Sequence, residues 1–415
     1  MHKMKYGCIG RRLTHSFSKE IHAHLSDYSY DLKELEPSEV PEFMTEKDFL
    51  AINVTIPYKE TVIPYLSEID PHAAKIGAVN TVVKRDGKLY GYNTDFYGMS
   101  ELIRHAGIEI KGRTAAILGT GGTSKTAFAV LNALGAKKLL VVSRTPENGE
   151  ISYDELAEMS GEVEIIVNTT PVGMFPKGEE RILDLSIFKS LEGVIDAVYN
   201  PLCTNLVLDA RALGVKSEGG LYMLVAQGVR ASELFLGIEY PEGTCERVYR
   251  QILGEKENIV LIGMPTSGKS AVGKALSTLT GRVLLDTDEL IESQCGADIP
   301  TIFKNEKEEG FRRIEEHIIG QISQENGKII ATGGGIVEKE LNVHRLRMNG
   351  RIYYLDTPRE RLFPDSGRPL SSTEEDLDRL YRRRQPLYTA SADATVTPCE
   401  SATQTAEKII LEHRK

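Results

Sequence analysis

Short apolar runs alternate through most of the chain with longer stretches whose apolar positions recur every three or four residues, a pattern that predicts parallel strands covered by helices. Two of the runs lead directly into glycine clusters. Thr114 to Leu118 (Thr-Ala-Ala-Ile-Leu) predicts a strand ahead of Gly119, and Asn258 to Ile262 (Asn-Ile-Val-Leu-Ile) predicts another ahead of Gly263. A helical stretch, Lys125 to Ala133, and a further strand, Lys138 to Val142, follow the first cluster; a short strand over Val283 to Asp286 follows the second. Strand, glycine turn and helix in that order open a nucleotide-binding unit. The two clusters differ in spacing, so they are two different units and not copies of one. Between them the polar, glycine-led Gly254-Glu-Lys-Glu-Asn258 marks a boundary, giving expected domains over residues 1–253 and 258–415 with a linker over 254–257.

Composition narrows the class. A length of 415 residues suits two or three domains, and 41% hydrophobic with 27% charged residues is an ordinary globular balance. The formal charge of -10 argues against a general polyanion binder, so no nucleic-acid partner is expected. Cys8, Cys203, Cys245, Cys295 and Cys399 are scattered without a C-x-x-C pair, which suggests neither a disulfide framework nor a zinc site and fits a reducing compartment. His22 and His24, two apart on an expected helix, do not share a face and are assigned no metal. No apolar run approaches the ~18 residues of a membrane span, so a soluble cytoplasmic protein without a membrane partner is expected. The oligomeric state is left open.

The first cluster, Gly119-Thr120-Gly121-Gly122-Thr123-Ser124, allows backbone amides to approach a pyrophosphate at a helix N-terminus. The next strand runs into Ser143-Arg144-Thr145, where an NAD site would place an acidic ribose anchor; an arginine there points to the 2'-phosphate of NADP(H). Ahead of this unit, hydroxyl and amide side chains are frequent: Thr14-His-Ser16-Phe-Ser18, Asn53-Val-Thr55-Ile-Pro-Tyr-Lys59, Ala78-Val-Asn80-Thr81 and Tyr92-Asn-Thr-Asp95. They suit a polyol. Ser16 and Ser18, read as extended chain, face one side, and Lys59 with Asp95 offers a proton relay at a carbonyl undergoing reduction.

These motifs together make residues 5–253 resemble shikimate dehydrogenase. The resemblance implies a two-lobed fold with a substrate lobe over 1–97 and 220–253 and a Rossmann-like NADP lobe over 98–219. It implies NADPH-dependent, reversible reduction of 3-dehydroshikimate to shikimate, with Lys59 as proton donor and Ser16, Ser18, Thr55, Asn80, Asp95, Tyr199, Gly220 and Gln227 around the substrate. Gly119 to Thr123, Ser143 to Thr145 and Thr169 would hold the cofactor, with Asn168 to Thr170 and Asp196 to Tyr199 bordering the ribose and nicotinamide. The chain departs from the family at Arg11 and Arg12, where Gly-x-Pro is usual, and at Lys19, where proline is common; neither change removes a hydroxyl.

The second cluster, Gly263-Met-Pro-Thr266-Ser267-Gly268-Lys269-Ser270, is a complete phosphate-binding loop. Its amides cradle phosphates, Lys269 neutralises the β and γ oxygens, and the Ser270 hydroxyl coordinates Mg2+. Asp286 and Asp288, two apart at a strand end, are expected to point the same way, one serving magnesium and the other the acceptor. Arg312, Gly333 to Gly335 and Arg384 supply cations and close backbone approach for a small anion.

Residues 258–398 resemble shikimate kinase through this loop, Asp-x-Asp, Glu-x-x-Phe-Arg-x-x-Glu, Gly-Gly-Gly, Gly-Arg-Pro-Leu and Arg-x-Pro-Leu-Tyr in order. The resemblance implies a P-loop kinase domain with a parallel sheet, ATP and magnesium as cofactors, shikimate held by Asp288, Arg312, Gly334, Gly335 and Arg384, a pocket oriented by Glu315, and Arg368 closing over ATP. Asp286 would organise magnesium and the reacting hydroxyl. Lys307 stands where glycine is usual, and the lid between Glu360 and Arg368 is a few residues short. Taken together, the two resemblances imply a bifunctional fusion in which the product of one reaction is the substrate of the next. Two rivals stay open at this point: a quinate/shikimate dehydrogenase in the first half, and a non-catalytic quinate or shikimate sensor of the kind seen in fungal quinate-pathway repressors.

Overall fold

The computed structural model describes residues 4–13, 16–365, 367 and 369–414. The chain divides into two compact units, residues 1–252 and 253–415.

The first unit contains two sheets. In one, Tyr30–Glu34, Tyr6–Gly10, Ala51–Val54, Thr81–Arg85, Lys88–Tyr92 and Glu68–Ile69 lie side by side in that order. Tyr6–Gly10 pairs in parallel with both neighbours, but Thr81–Arg85 runs antiparallel to Ala51–Val54 and to Lys88–Tyr92. The expected parallel pairing therefore does not extend to Thr81–Arg85. Asp86 and Gly87 have φ of 51° and 73°, and two left-handed residues make the tight turn whose twist suits a hairpin. Ile9, Ile52, Val54, Val82 and Leu89 form the core on one face of this sheet.

The other sheet is wholly parallel, in the order Lys216–Glu218, Gly193–Asp196, Ile165–Asn168, Thr114–Leu118, Lys138–Val142. The order of connection reverses between Thr114–Leu118 and Ile165–Asn168, and ligands in such sheets sit at the carboxyl ends of the strands flanking that point. Ile117, Val167, Ile195 and Val130 are buried between this sheet and its helices. The helices Thr94–His105 and Leu221–Leu236 pack closely, since a Cβ on Gly98 would stand 2.7 Å from the Met223 carbonyl oxygen. That glycine lets the late helix approach the residues that follow the first sheet.

The second unit has one parallel sheet in the order Leu284–Asp286, Ile329–Ala331, Asn258–Ile262, Gly350–Leu355, Ala394–Val396. Its central strand is the apolar run expected before Gly263, buried at every position. The expected linker at 254–257 takes another form: helix Thr244–Lys256 runs through most of it and the strand begins at Asn258. Glutamate and lysine are good helix formers, so polarity there extends a helix and does not break it. Among the described residues no helix is long and apolar enough to cross a membrane.

Candidate active sites

In the first unit, Lys59 follows the strand Ala51–Val54, and Asp95 stands in the first turn of helix Thr94–His105. That helix starts where it does because the Asn93 side chain accepts from the Phe96 amide at 3.1 Å. Lys59 Nζ donates to Asp95 Oδ2 at 2.6 Å, with side chains only 18% and 12% exposed.

Asn80 sits beside this pair. Its Oδ1 accepts from the Thr94 amide at 2.7 Å and its Nδ2 donates to Thr94 Oγ1 at 3.0 Å. Thr94 Oγ1 in turn donates to Gln227 Oε1 at 3.3 Å. Asn53 underlies the same layer, accepting from Tyr30 Oη at 2.7 Å and donating to Thr81 Oγ1 at 3.1 Å. Thr94 belongs to the Tyr92–Asp95 motif without a role of its own in the sequence, and Tyr30 lies outside every motif, because their roles depend on pairings between residues distant in the chain.

Ser16 Oγ donates to Ser18 Oγ at 3.0 Å. The two hydroxyls converge, but not as extended chain: Ser18 is the first residue of helix Ser18–Ala23, and the turn into the helix brings them together. Tyr199 packs edge-on against Phe17 with ring centroids 5.3 Å apart, and burial pushes its phenol up to about 12. Thr55 continues from its strand by donating its amide to the Ile9 carbonyl at 2.9 Å. Gly220 leaves no room for a side chain, since a Cβ there would lie 2.2 Å from the Ala197 carbonyl oxygen.

The glycine turn follows Leu118. Gly119 has φ of 104° and its amide donates to the Val142 carbonyl at 2.9 Å, which sets the turn beside Ser143. The helix starts at Gly122, three residues ahead of the stretch expected from the sequence, and a Cβ on Gly121 or Gly122 would meet nothing within 4 Å. Thr120 is exposed and Thr123 half-buried at this open helix N-terminus. Ser143 Oγ accepts from the Thr145 amide at 3.2 Å, and Arg144 between them is exposed. Thr169 Oγ1 donates to the Leu118 carbonyl at 2.6 Å, tying the two strand ends at the crevice. Behind them, buried Asp196 accepts from Asn168 Nδ2 at 3.0 Å, the Val198 amide at 2.9 Å and Thr204 Oγ1 at 2.6 Å. The ion pair of Lys125 Nζ with Glu60 Oε1 at 2.7 Å, which has no local sequence signature, joins the first turn of helix Gly122–Ala133 to the residue after Lys59.

In the second unit the phosphate loop curls through left-handed backbone at Thr266 and Gly268, with φ of 65° and 88°. Gly263 is confined from the side, where a Cβ would stand 3.0 Å from both the Leu355 carbonyl oxygen and Ser267 Oγ. Lys269 is buried across the loop, donating to the carbonyls of Gly263 at 2.9 Å and Met264 at 2.7 Å. Thr266 Oγ1 donates to the Phe363 carbonyl at 3.2 Å, holding the loop against the segment where a short lid is expected. Arg368, expected to close that lid, lies outside the described residues.

Ser270 Oγ donates to Asp286 Oδ2 at 2.6 Å. Asp286 and Asp288 do not project together from a strand: Asp286 caps helix Thr287–Cys295, accepting from the Asp288 amide at 3.0 Å, and Asp288 sits in the first turn. A cap residue uses its carboxylate on the backbone of the next turn, so the alternation of an extended chain stops there.

A cavity lies next to the loop, lined among others by Asp288, Arg312, Glu315, Gly333 to Gly335 and Arg384. The glycines make space for their neighbours: a Cβ on Gly333 would come within 2.8 Å of Asp288 Oδ1, and one on Gly335 within 2.1 Å of the Arg312 guanidinium. On Gly334 it would come within 2.9 Å of Pro265. Glu315 is buried with Oε2 accepting from Arg312 Nη1 at 2.7 Å; burial raises its carboxyl, opposed by the charge of Arg312. Lys307, placed where the family pattern has glycine, has φ of 61° and ψ of -177° and interrupts helix Ile299–Ile322.

Comparisons with known proteins agree with both halves. A family model for shikimate dehydrogenase substrate binding domain matches residues 8–82, and one for shikimate kinase matches residues 265–414. The chain is 38% identical over 266 residues to shikimate dehydrogenase (NADP(+)) of Clostridium perfringens strain 13, covering 60% of this chain and 97% of that protein. Among solved structures, it is similar to a chorismate mutase/shikimate 5-dehydrogenase fusion protein from Clostridium acetobutylicum, at 35% identity and a TM-score of 0.57 over 61% of this chain and 97% of that one. It is also similar to shikimate 5-dehydrogenase from Thermus thermophilus in complex with NADP(H) and shikimate, at 30% identity and a TM-score of 0.54 over 60% of this chain and 99% of that one.

Proposed function

The chain belongs to the shikimate dehydrogenase family and carries a shikimate kinase domain behind it, and from that premise we propose that it reduces 3-dehydroshikimate to shikimate and then phosphorylates shikimate at its 3-hydroxyl. The observation that carries the order is the presence in one chain of a hydroxyl- and amide-rich site holding a half-buried Lys59–Asp95 pair and of an arginine-lined cavity beside a phosphate loop. The first suits reduction of a polyol ketone; the second suits phosphorylation of the anionic alcohol that results.

In the dehydrogenase unit Ser16, Ser18, Thr55, Asn80, Gln227 and Tyr199 bind the ring substituents, and Gly220 permits the close turn beside Tyr199. Asp95 aims Lys59 through their 2.6 Å contact, and Lys59 gives its proton to the oxygen formed at the reduced carbon. Gly119 to Thr123 and the helix N-terminus at Gly122 receive the pyrophosphate, Ser143, Arg144 and Thr145 the 2'-phosphate, and Thr169 lines the ribose. NADPH, when bound, supplies the hydride.

In the kinase unit Lys269 and the amides from Gly263 to Ser270, with Thr266, Ser267 and Gly268 shaping the loop, hold the phosphates of ATP, which supplies the phosphoryl group. Ser270 and Asp286 place two hard oxygens 2.6 Å apart at the mouth of the loop, which fits magnesium delivered with ATP and completed by its phosphates and water. Asp288, Arg312, Gly334, Gly335 and Arg384 bind shikimate, with Asp288 on the side of the acceptor hydroxyl. Consumption of ATP in the second step draws the reversible first step forward by mass action, with no tunnel needed.

The order is tested by supplying shikimate in both assays. Shikimate with MgATP must yield a product whose phosphorus couples to the proton at C3, and shikimate with NADP+ must reduce the cofactor. Phosphorylation at another hydroxyl, or of 3-dehydroshikimate in preference to shikimate, sinks the proposed order.

A further inference from the structure

Three arginines converge on one carboxylate beside the kinase cavity. Glu338 ends the 3-10 turn Ile336–Glu338, directly after the three glycines. Its Oε2 accepts from Arg384 Nη2 at 3.0 Å and from Arg312 Nη2 at 3.4 Å, and its Oε1 accepts from Arg383. Arg312 belongs to helix Ile299–Ile322, Arg383 and Arg384 to helix Glu374–Ser391. One side chain thus joins two helices and the glycine turn. Glu338 itself does not line the cavity, whereas Arg312 and Arg384 do.

Arg384 is only 3% exposed and Arg312 19%, so both guanidinium groups have lost most of their hydration. Two such cations facing one anion subsite repel each other, and a buried charge without a partner is strongly unfavourable. Arg312 is also paired with Glu315 through Nη1 at 2.7 Å and with Glu308 through Nη2 at 3.5 Å, and Glu338 is the counter-charge that it shares with Arg384. Burial alone would raise its carboxyl, but the hydrogen bond and charge of Arg384, with Arg383 and Arg312, hold it below the usual carboxylate range. The buried Nε of Arg384 has no hydrogen-bond partner among the described residues.

We propose that Glu338 is a positioning residue for the kinase reaction, fixing Arg312 and Arg384 through their Nη2 atoms so that their remaining donors receive the substrate carboxylate. The proposal rests on the shikimate-kinase reading of this unit. Because Glu338 stands off the cavity with the guanidinium groups as its partners, its repulsion of a bound carboxylate is offset by the very cations it orients. Its removal therefore costs alignment more than it relieves repulsion.

The test compares wild type, Glu338→Gln and Glu338→Asp in the full chain, varying shikimate and MgATP separately and recording the thermal transition of the kinase unit. Glu338→Gln keeps the shape without the charge, and it is expected to raise the KM for shikimate about tenfold, the scale of one lost charge-assisted hydrogen bond. The KM for MgATP stays within about twofold. Glu338→Asp, which keeps the charge on a shorter arm, recovers part of the loss and serves as the readout should the glutamine variant not fold. An unchanged KM for shikimate overturns the proposal, and a lowered one overturns it in favour of a carboxylate that competes with substrate. Equal losses for both substrates with a lowered transition reduce Glu338 to a structural role and overturn it too. A wild-type chain that phosphorylates no shikimate sinks the kinase reading and this proposal together; an active wild type with an unaltered Glu338→Gln variant sinks this proposal alone.

Discussion

Lys59 Nζ lies 2.6 Å from Asp95 Oδ2, although the two residues are 36 positions apart and belong to different elements. The lysine follows a strand and the aspartate opens a helix, so their contact depends on the sheet that separates them being folded. The dehydrogenase reading predicts that Lys59→Met lowers kcat for reduction of 3-dehydroshikimate by about 10²–10⁴-fold, the usual worth of a positioned proton donor. Phosphorylation of shikimate by the same preparation remains at the wild-type rate, because the kinase residues lie in the other compact unit. Full reductase turnover in Lys59→Met would remove Lys59 from the mechanism.

Arg144 is exposed between two residues tied by the Ser143 hydroxyl, so its guanidinium is free to meet a 2'-phosphate on an ordered turn. Arg144→Ala is expected to raise the KM for NADPH by about 10–100-fold while changing that for NADH little, since only NADPH carries the phosphate. Steady-state kinetics with both cofactors decide this; parallel changes would show that the arginine does not read the phosphate.

Burial pushes the Asp196 carboxyl up to about 7, against the hydrogen bonds it receives from Thr204, the Val198 amide and Asn168. Its folded pKa exceeds its unfolded one, so between about pH 4 and 7 the native state binds more proton than the unfolded chain and stability falls as pH rises. The contribution is complete below the unfolded pKa and lost through the folded one. Asp196→Asn should flatten this part of the pH profile of the dehydrogenase unit, measured by denaturant unfolding at several pH values. An identical slope in wild type and variant would place the titration elsewhere.

At Lys307 a side chain occupies backbone that only glycine adopts without strain. Lys307→Gly should stabilise the kinase unit by about 1 kcal/mol, the strain relieved exceeding the added freedom of the unfolded chain. A fall in its unfolding midpoint would contradict this.

Much of the architecture was legible because the signals are local. The apolar runs before Gly119 and Gly263 are buried strands, and the glycine spacing that distinguishes the two clusters is a property of consecutive residues. What escaped depends on geometry across the fold. Asp86-Gly87 carries a recognisable hairpin signal, yet the prevailing strand and helix alternation masked it. Ser16 and Ser18, and likewise Asp286 and Asp288, were read with strand periodicity, whereas in each pair the second residue lies in the first turn of a helix. Period-two reasoning fails where an element changes. Thr94 between Asn80 and Gln227, Lys125 against Glu60 and Glu338 among its arginines are pairings of distant segments that no local pattern encodes.

The central claim is that one chain carries 3-dehydroshikimate through to 3-phosphoshikimate. The most direct measurement incubates the purified chain with 3-dehydroshikimate and NADPH, with and without MgATP, following NADPH absorbance and identifying products by mass. Shikimate in the absence of ATP and 3-phosphoshikimate in its presence, with NADPH consumed in both, is the predicted result. Cofactor consumption with no phosphorylated product, or ligand binding with no turnover in either half, would contradict it.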